Sequence, residues 1–233
     1  MAPDKFAIDR AFLSSLHDFS NMLQSRLPRL EAASMAEESE MTPEEKLQTI
    51  GPCVPEWSRN IEKVLWTGCE IQDRVRELAQ QISQDYRGEK FIAVGLLNGA
   101  VMFCADLLRY VTVPNELDFM ALSSYHGTQS SGTVMLKKDL SIDPEGRHVL
   151  IVEDLIDTGN TLHWLKKHFE HKKAKSIRIA CLLDKAVKRV VNVKVDYIGW
   201  ECPDEFVVGY GMDLHREYRC LPFIGVLKPE AYT

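Results

Sequence analysis

The segment from His148 to Leu162, HVLIVEDLIDTGNTL, constrains this chain more than any other stretch. Val149, Leu150, Ile151 and Val152 form an unbroken apolar run in which three of four residues are β-branched. A run without alternation suits a strand buried on both faces, as in the middle of a parallel sheet. Glu153 and Asp154 follow at once, where the strand is expected to end and where ligands of parallel sheets sit. Asp157, Thr158, Gly159, Asn160 and Thr161 come next, and the spacing of Leu162, Leu165 and Phe169 predicts a helix directly after them.

Each half of this stretch points to a part of a ligand. Free backbone N–H groups and hydroxyls at a helix N-terminus, with Gly159 permitting close approach, make a cradle for a phosphate. Carboxylates beside it would repel that phosphate, so they must face sugar hydroxyls or a divalent metal. A phosphorylated ribose carrying a metal-bound pyrophosphate satisfies both halves. The plain alternative is a buried strand, a turn and an acidic helix cap. Packing, however, gives no reason for two adjacent acids and a third three residues later. The string VEDLIDTGNTL resembles the phosphoribosyl-diphosphate loop of the type I phosphoribosyltransferases. It is similar to the form of that loop found in hypoxanthine-guanine members.

At 233 residues the chain can hold one α/β domain with a full core plus appendages. Its formal net charge of −6 is unevenly placed. Residues 1–56 carry 10 acids against 5 bases, and the remainder carries 24 against 23. The body is thus nearly neutral, with no basic surplus to argue for nucleic acid. Cys53, Cys69, Cys104, Cys181, Cys202 and Cys220 contain no CxxC pair and no zinc spacing. They read as small core residues in a reducing compartment. No apolar run approaches membrane-spanning length. Phe12, Leu16, Phe19 and Leu23 predict an amphipathic helix over 9–27, and residues 31–46, EAASMAEESEMTPEEK, read as an acidic flexible segment. Asp4, Asp9 and Asp18 argue against a mitochondrial transit peptide, and the expected location is cytoplasmic. The expected division is therefore an N-terminal extension, 1–56, and a body, 57–233. The extension is read as a helix docked on its own body or a sister subunit, or as a regulatory arm.

Within the body, Thr67-Gly68-Cys69-Glu70 fits a capping box opening a helix with Ile71, Val75, Leu78 and Ile82 on one face. A strand Phe91–Leu97 turns at Asn98-Gly99 into a helix through Tyr110. The resembled family normally has Leu-Lys-Gly here, with backbone N–H groups on pyrophosphate. The Asn98 of this chain leaves a backbone role intact and removes any role of a Lys side chain. Leu117–Leu122 is a further strand. Ser124-Tyr125 leads into HGTQSSG, 126–132, which has no apolar residue to hold it down. The resemblance implies that a Ser-Tyr pair begins a loop closing over the reaction centre, where an activated ribose must be shielded from water; the local alternative is an exposed hairpin loop. His163, His168 and His171 lack a shared helical face and are not read as metal ligands.

Ser176–Leu183 reads as an alternating strand ending in Asp184-Lys185. Short strands are expected at Tyr197–Trp200, Phe206–Val208 and Phe223–Leu227. The segment FVVGYGMD followed by Arg219 resembles the purine-binding end of the 6-oxopurine enzymes, although Cys220 stands where the family has an Asp. The resemblance covers residues 61–230.

Alternation of strands and helices predicts an α/β fold with a parallel sheet wrapped on both faces. The resemblance implies a five-stranded parallel sheet flanked by helices, the type I phosphoribosyltransferase fold, with a small hood helped by the late short strands. It implies transfer of ribose 5-phosphate from phosphoribosyl diphosphate to N9 of hypoxanthine or guanine, with Mg2+ as cofactor. Residues 157–161 would grip the 5′-phosphate, Asp157 would manage the N7 proton, and Glu153 and Asp154 would hold ribose hydroxyls directly or through the metal. Asn98 and Gly99 would meet pyrophosphate, Asp213 would be the principal metal contact, and Arg219 would clamp. Lys185 would face the 6-oxo group, Phe206 would stack on the purine, and the Val207 backbone would pair with its edge. A homo-oligomer, dimer or tetramer, is expected. The alternatives are a non-catalytic regulatory protein of the same fold and a transferase acting on adenine, on a pyrimidine or preferentially on xanthine.

Overall fold

The computed structural model describes Thr42, Trp57, residues 59–124 and residues 134–232. The helix expected over 9–27, the acidic segment, Cys53, Tyr125 and the loop 126–132 lie outside the described residues. The chain divides into two units, 1–42 and 43–233, and the second is described below.

β1 (Ile61–Trp66) leads into α1 (Gly68–Asp85). Thr67 Oγ1 accepts from Glu70 N, and the Glu70 carboxylate accepts from Thr67 N at 2.7 Å. This reciprocal cap satisfies two orphan N–H groups and is worth about 1 kcal/mol. Ile71, Val75, Leu78 and Ile82 recur every three or four residues and are all fully buried, so one stripe of α1 meets the sheet. β2 (Phe91–Leu97), α2 (Val101–Tyr110) and β3 (Asn115–Ser124) follow, then β4 (Val134–Lys138) and β5 (His148–Ile156). After α3 (Asn160–His171) come β6 (Ser176–Asp184), β7 (Tyr197–Glu201), β8 (Val207–Val208) and β9 (Ile224–Leu227).

The main sheet has the order β4-β3-β2-β5-β6-β7. β3, β2, β5, β6 and β7 run parallel, as the five-stranded expectation has it, and β4 adds an antiparallel edge. Side chains of the central strands alternate between two cores. Phe91, Ala93, Leu150 and Val152 pack with α1 and α2, while Ile92, Val94, Val149 and Ile151 pack with Leu162, Leu165 and Phe169 of α3. Each fully buried side chain of this size contributes about 1.5–3 kcal/mol from leaving water. That double burial is why the run at 149–152 shows no polar alternation. The same cause corrects β6, whose residues Ile179–Asp184 are continuously buried rather than alternating.

A second, smaller antiparallel sheet has the order β1-β9-β8. It is the expected hood, with two differences. β7 does not join it, because Ala180 pairs in parallel with Tyr197 and makes β7 an edge of the main sheet. β1, which had no strand expectation, pairs with β9 instead. Cys104, Cys181 and Cys202 are buried as expected, but Cys69 and Cys220 are exposed and are not core residues. Among the described residues no helix is long and apolar enough to cross a membrane.

Candidate active site

Strand order reverses between β2 and β5: β2 continues through α2 to β3 on one side, and β5 through α3 to β6 on the other. In open α/β sheets such a switch point leaves a crevice beyond the carboxyl ends of the strands. Here β5 pairs with β2 only as far as Val152, whereas its pairing with β6 continues to Ile156. Glu153 and Asp154 thus belong to the strand, which does not end before them as expected. They have a free edge because β2, which runs on to Leu97 beside β3, no longer pairs with β5 beyond Val152.

Three separate segments meet at that edge. Asp154 lies against Gly99 so closely that a Cβ on Gly99 would collide with its carboxylate. Gly211, at φ +106°, presses on the Gly99 carbonyl, so neither glycine can carry a side chain. Arg219 reaches back to the Gly211 carbonyl and pairs with Asp213 at 2.6 Å. Asp213 also accepts from Arg216 N at 2.7 Å. The Tyr210 hydroxyl donates to Asp106 of α2 at 2.8 Å and anchors the 209–213 loop. Asn98 is exposed at the tip of the β2 turn, and the Leu97–Asn98 peptide is cis.

The electrostatics of the two acids are unusual. Burial, and then the charge of Asp154, push Glu153 well above the ordinary carboxylate range. Burial pushes Asp154 up to about 6, opposed by the backbone N–H groups of Asp154 and Leu155 and by Arg219. Their mutual hydrogen bond raises Glu153 and lowers Asp154, so Glu153 holds the proton and Asp154 accepts it. Glu153 Oε2 is buried without a hydrogen-bond partner among the described residues. A ligand hydroxyl or a hydrated cation can supply the missing partner.

Beyond β5, Asp157 is exposed at the crevice mouth and Gly159 caps α3 at φ 83°. The N–H groups of Asn160 and Thr161 head the helix, which has no acid in its first turn, and this favours an anion there. Lys185 follows β6, is buried, and donates through Nζ to the Glu205 carbonyl at 2.6 Å. Phe206 is the next residue, with one ring face already stacked on Tyr232 at 4.8 Å. Leu227 N donates to the Phe206 carbonyl, so in an alternating antiparallel ladder the N–H and C=O of Val207 point away from β9, outward from an edge strand. Ser124 closes β3 at the same end of the sheet, opposite Val134. His168 stacks on Trp164 and lies 3.3 Å from Asp139.

Arg189 was invisible in the sequence. It follows the turn Ala186–Lys188, pairs with Asp184, and keeps Nε and Nη1 buried without partners among the described residues. The string AVKRVVN has no periodicity or motif that would single it out. Glu205 was equally silent, since its carbonyl rather than its side chain holds Lys185.

Comparison with known proteins identifies the family. The phosphoribosyl transferase domain family matches residues 67–215. The hypoxanthine-guanine phosphoribosyltransferase of Streptococcus pneumoniae is 48% identical over 175 residues, covering 75% of this chain and 97% of that protein. The Bacillus subtilis enzyme of that name is 49% identical over 174 residues, covering 74% and 97%. A crystal structure of a hypoxanthine phosphoribosyltransferase from Staphylococcus aureus aligns with a TM-score of 0.74 at 42% identity, covering 76% of this chain and 97% of that one.

Proposed function

The chain belongs to the phosphoribosyltransferase family, and on that premise we propose that it transfers ribose 5-phosphate from phosphoribosyl diphosphate to N9 of hypoxanthine or guanine. The products are IMP or GMP and pyrophosphate. The observation that carries the reading is the meeting of Asp154, Gly99, Gly211 and Arg219 at the switch point, beside an anion-ready helix terminus.

The geometry supports the following roles. Residues 157–161 receive the 5′-phosphate on backbone N–H groups and hydroxyls. Glu153 and Asp154 accept the ribose hydroxyls, whose donors replace the proton the two acids share when empty. The ribosyl carbon becomes oxocarbenium-like as pyrophosphate leaves, and a nearby carboxylate stabilises that developing charge. Asn98 and Gly99 offer backbone N–H groups to pyrophosphate, and Arg219 offers a guanidinium. Asp157, exposed at the mouth, takes or holds the proton at purine N7. The Lys185 ammonium donates to O6, Phe206 stacks through its uncovered face, and the outward Val207 backbone meets the base edge. Ser124 and Tyr125 begin the loop that excludes water during transfer.

Magnesium commonly takes only one or two carboxylates together with substrate oxygens. The residues fit that habit: Glu153 has an unpartnered buried oxygen, Asp154 lies beside it, and Asp213 stands next to Arg219. Among the described residues no three acids, histidines or cysteines converge as a protein-only cage. When bound, the ion would neutralise charge on the departing pyrophosphate.

The protein acts as a homo-oligomer in the cytoplasm, and residues 1–56 are an extension that transfer does not require. The relatives align over 97% of their length with only 75% of this chain, which supports an extension of that kind. Pyrophosphate release from phosphoribosyl diphosphate, measured with hypoxanthine or guanine and with or without magnesium, tests the proposal. Release must require both a 6-oxopurine and the metal; base-independent release or none overturns it.

A further inference from the structure

The phosphate cradle and the base-facing lysine are parts of one braced unit. β5 and β6 end side by side, Ile156 against Asp184, and the Ile156 carbonyl accepts from Lys185 N at 2.9 Å. From there the chain runs through the turn Ala186–Lys188 and doubles back to the cradle. The Thr158 carbonyl accepts from both Val190 N, at 3.0 Å, and Val191 N, at 3.1 Å. Arg189 closes the loop: its Nη2 pairs with Asp184 Oδ1, and both side chains are mostly buried, at 16% and 12% exposure. Its shaft lies against Gly159, where an added Cβ would sit 3.0 Å from Arg189 Cδ and 2.9 Å from the Val191 carbonyl. The corner that presents N–H groups to an anion is therefore shaped from behind by residues 189–191.

This pair is not arranged for stability alone. Among the described residues Arg189 leaves Nε and Nη1 buried without hydrogen-bond partners, and an unmade buried hydrogen bond is costly. A core packed only for stability would fill this space with apolar side chains. We propose that Arg189 is a positioning residue of the transfer reaction. Paired with Asp184 at the root of the Lys185 turn, it fixes the Thr158–Gly159 corner in the shape that grips the 5′-phosphate. A lysine cannot substitute, because an ammonium is more strongly hydrated than a guanidinium and costlier to bury in this ion pair, and it lacks the flat guanidinium whose shaft packs on Gly159. The inference rests on the proposed function for the identity of the anion.

The test uses the full chain and two variants. Arg189→Lys keeps the charge; Arg189→Met combined with Asp184→Asn removes both charges, so that no buried ion is stranded. Calorimetric titration with ribose 5-phosphate probes the cradle, and titration with magnesium pyrophosphate probes the far side of the crevice. Both variants are expected to bind ribose 5-phosphate about 10- to 100-fold more weakly, the scale of a small misplacement, with pyrophosphate affinity within about twofold of the parent. The KM for phosphoribosyl diphosphate should rise with the first loss, while kcat at saturation falls by less. A merely structural role would lower Tm and leave the affinities of the folded protein unchanged. Parent-like ribose 5-phosphate binding by either folded variant, or an equal loss for pyrophosphate, overturns the inference. If the parent binds ribose 5-phosphate but transfers nothing to a base, the functional reading falls and the brace stands.

Discussion

The two ends of the main sheet treat their charged and polar groups differently. At the amino end, charges are paired: Glu116 lies 3.0 Å from Arg147 and also pairs with Lys90, and Arg178 bridges Asp85 at 2.7 Å and the Tyr197 hydroxyl at 2.6 Å. Hydrogen bonds from Lys90 and Arg147 hold Glu116 below the usual carboxylate range. Among the described residues, the buried atoms there without a hydrogen bond are the Tyr86 hydroxyl and Nε2 of His148, which lies 3.5 Å from Glu89. At the carboxyl end, Glu153 and Asp154 are pushed up by burial, and Glu153 and Arg189 keep buried polar atoms without hydrogen-bond partners among the described residues. Perturbed and unsatisfied groups cluster where a ligand is to supply the missing interactions. One end is finished by folding; the other is finished by binding.

The largest expected effect lies at the mouth of the carboxyl end. Asp157 is exposed and serves no packing role, so Asp157→Asn should leave stability unchanged and reduce kcat by about 10²–10⁴-fold, the range of acid–base contributions. KM for phosphoribosyl diphosphate should move far less. A kcat within threefold of the parent would remove Asp157 from proton handling.

Asp154 tests the electrostatic cost directly. It titrates at about 6 in the folded chain against roughly 3.9 when unfolded. Between those values the folded state binds more protons, so stability falls as pH rises through that window. Asp154→Asn should therefore gain about 1–3 kcal/mol in urea unfolding at pH 8, without ligand or metal, and gain nothing near pH 4. Transfer activity should fall. No stabilisation at pH 8 would show that the acid is not held at a cost.

The smallest effects mark regions already complete in themselves. Glu116→Gln, at the amino end, should leave kcat and KM unchanged, and a change in either would blur the contrast between the ends. Removal of residues 1–56 should leave kcat/KM within about threefold, as for changes remote from a site. A folded but inactive truncation would make the arm part of the site or of the assembly.

Legibility in the sequence followed the same division of local from distant causes. The Thr67 cap, the α1 stripe and the strand Phe91–Leu97 were readable because each is dictated by neighbours within a few residues. The acids at 153–154 and the run 157–161 stood out in the sequence because packing alone gives no reason for them. β1 was not, since its partner β9 lies at the other end of the body and nothing in IEKVLW announces it. β7 was assigned to the wrong sheet because five residues with a single turn signal do not specify a partner. Arg189 and the Glu205 carbonyl act through contacts that only the folded chain brings together. The exposure of Cys69 and Cys220 also depends on which face each presents, which composition does not carry.

The central claim is that this crevice handles a 6-oxopurine, and the most direct test is kcat/KM for hypoxanthine against adenine in the parent and in Lys185→Ala. Lys185 is buried, and its ammonium can only donate. Hypoxanthine offers an oxygen at position 6; adenine offers an amino group and leaves the charge unpaired. Sites built on such a contact reject the analogue lacking it by about 10⁴-fold. The parent should prefer hypoxanthine by about 10³–10⁴-fold on that basis, and Lys185→Ala should lose activity on hypoxanthine and narrow the gap. Comparable use of adenine by the parent, or undiminished discrimination in the variant, would contradict the account.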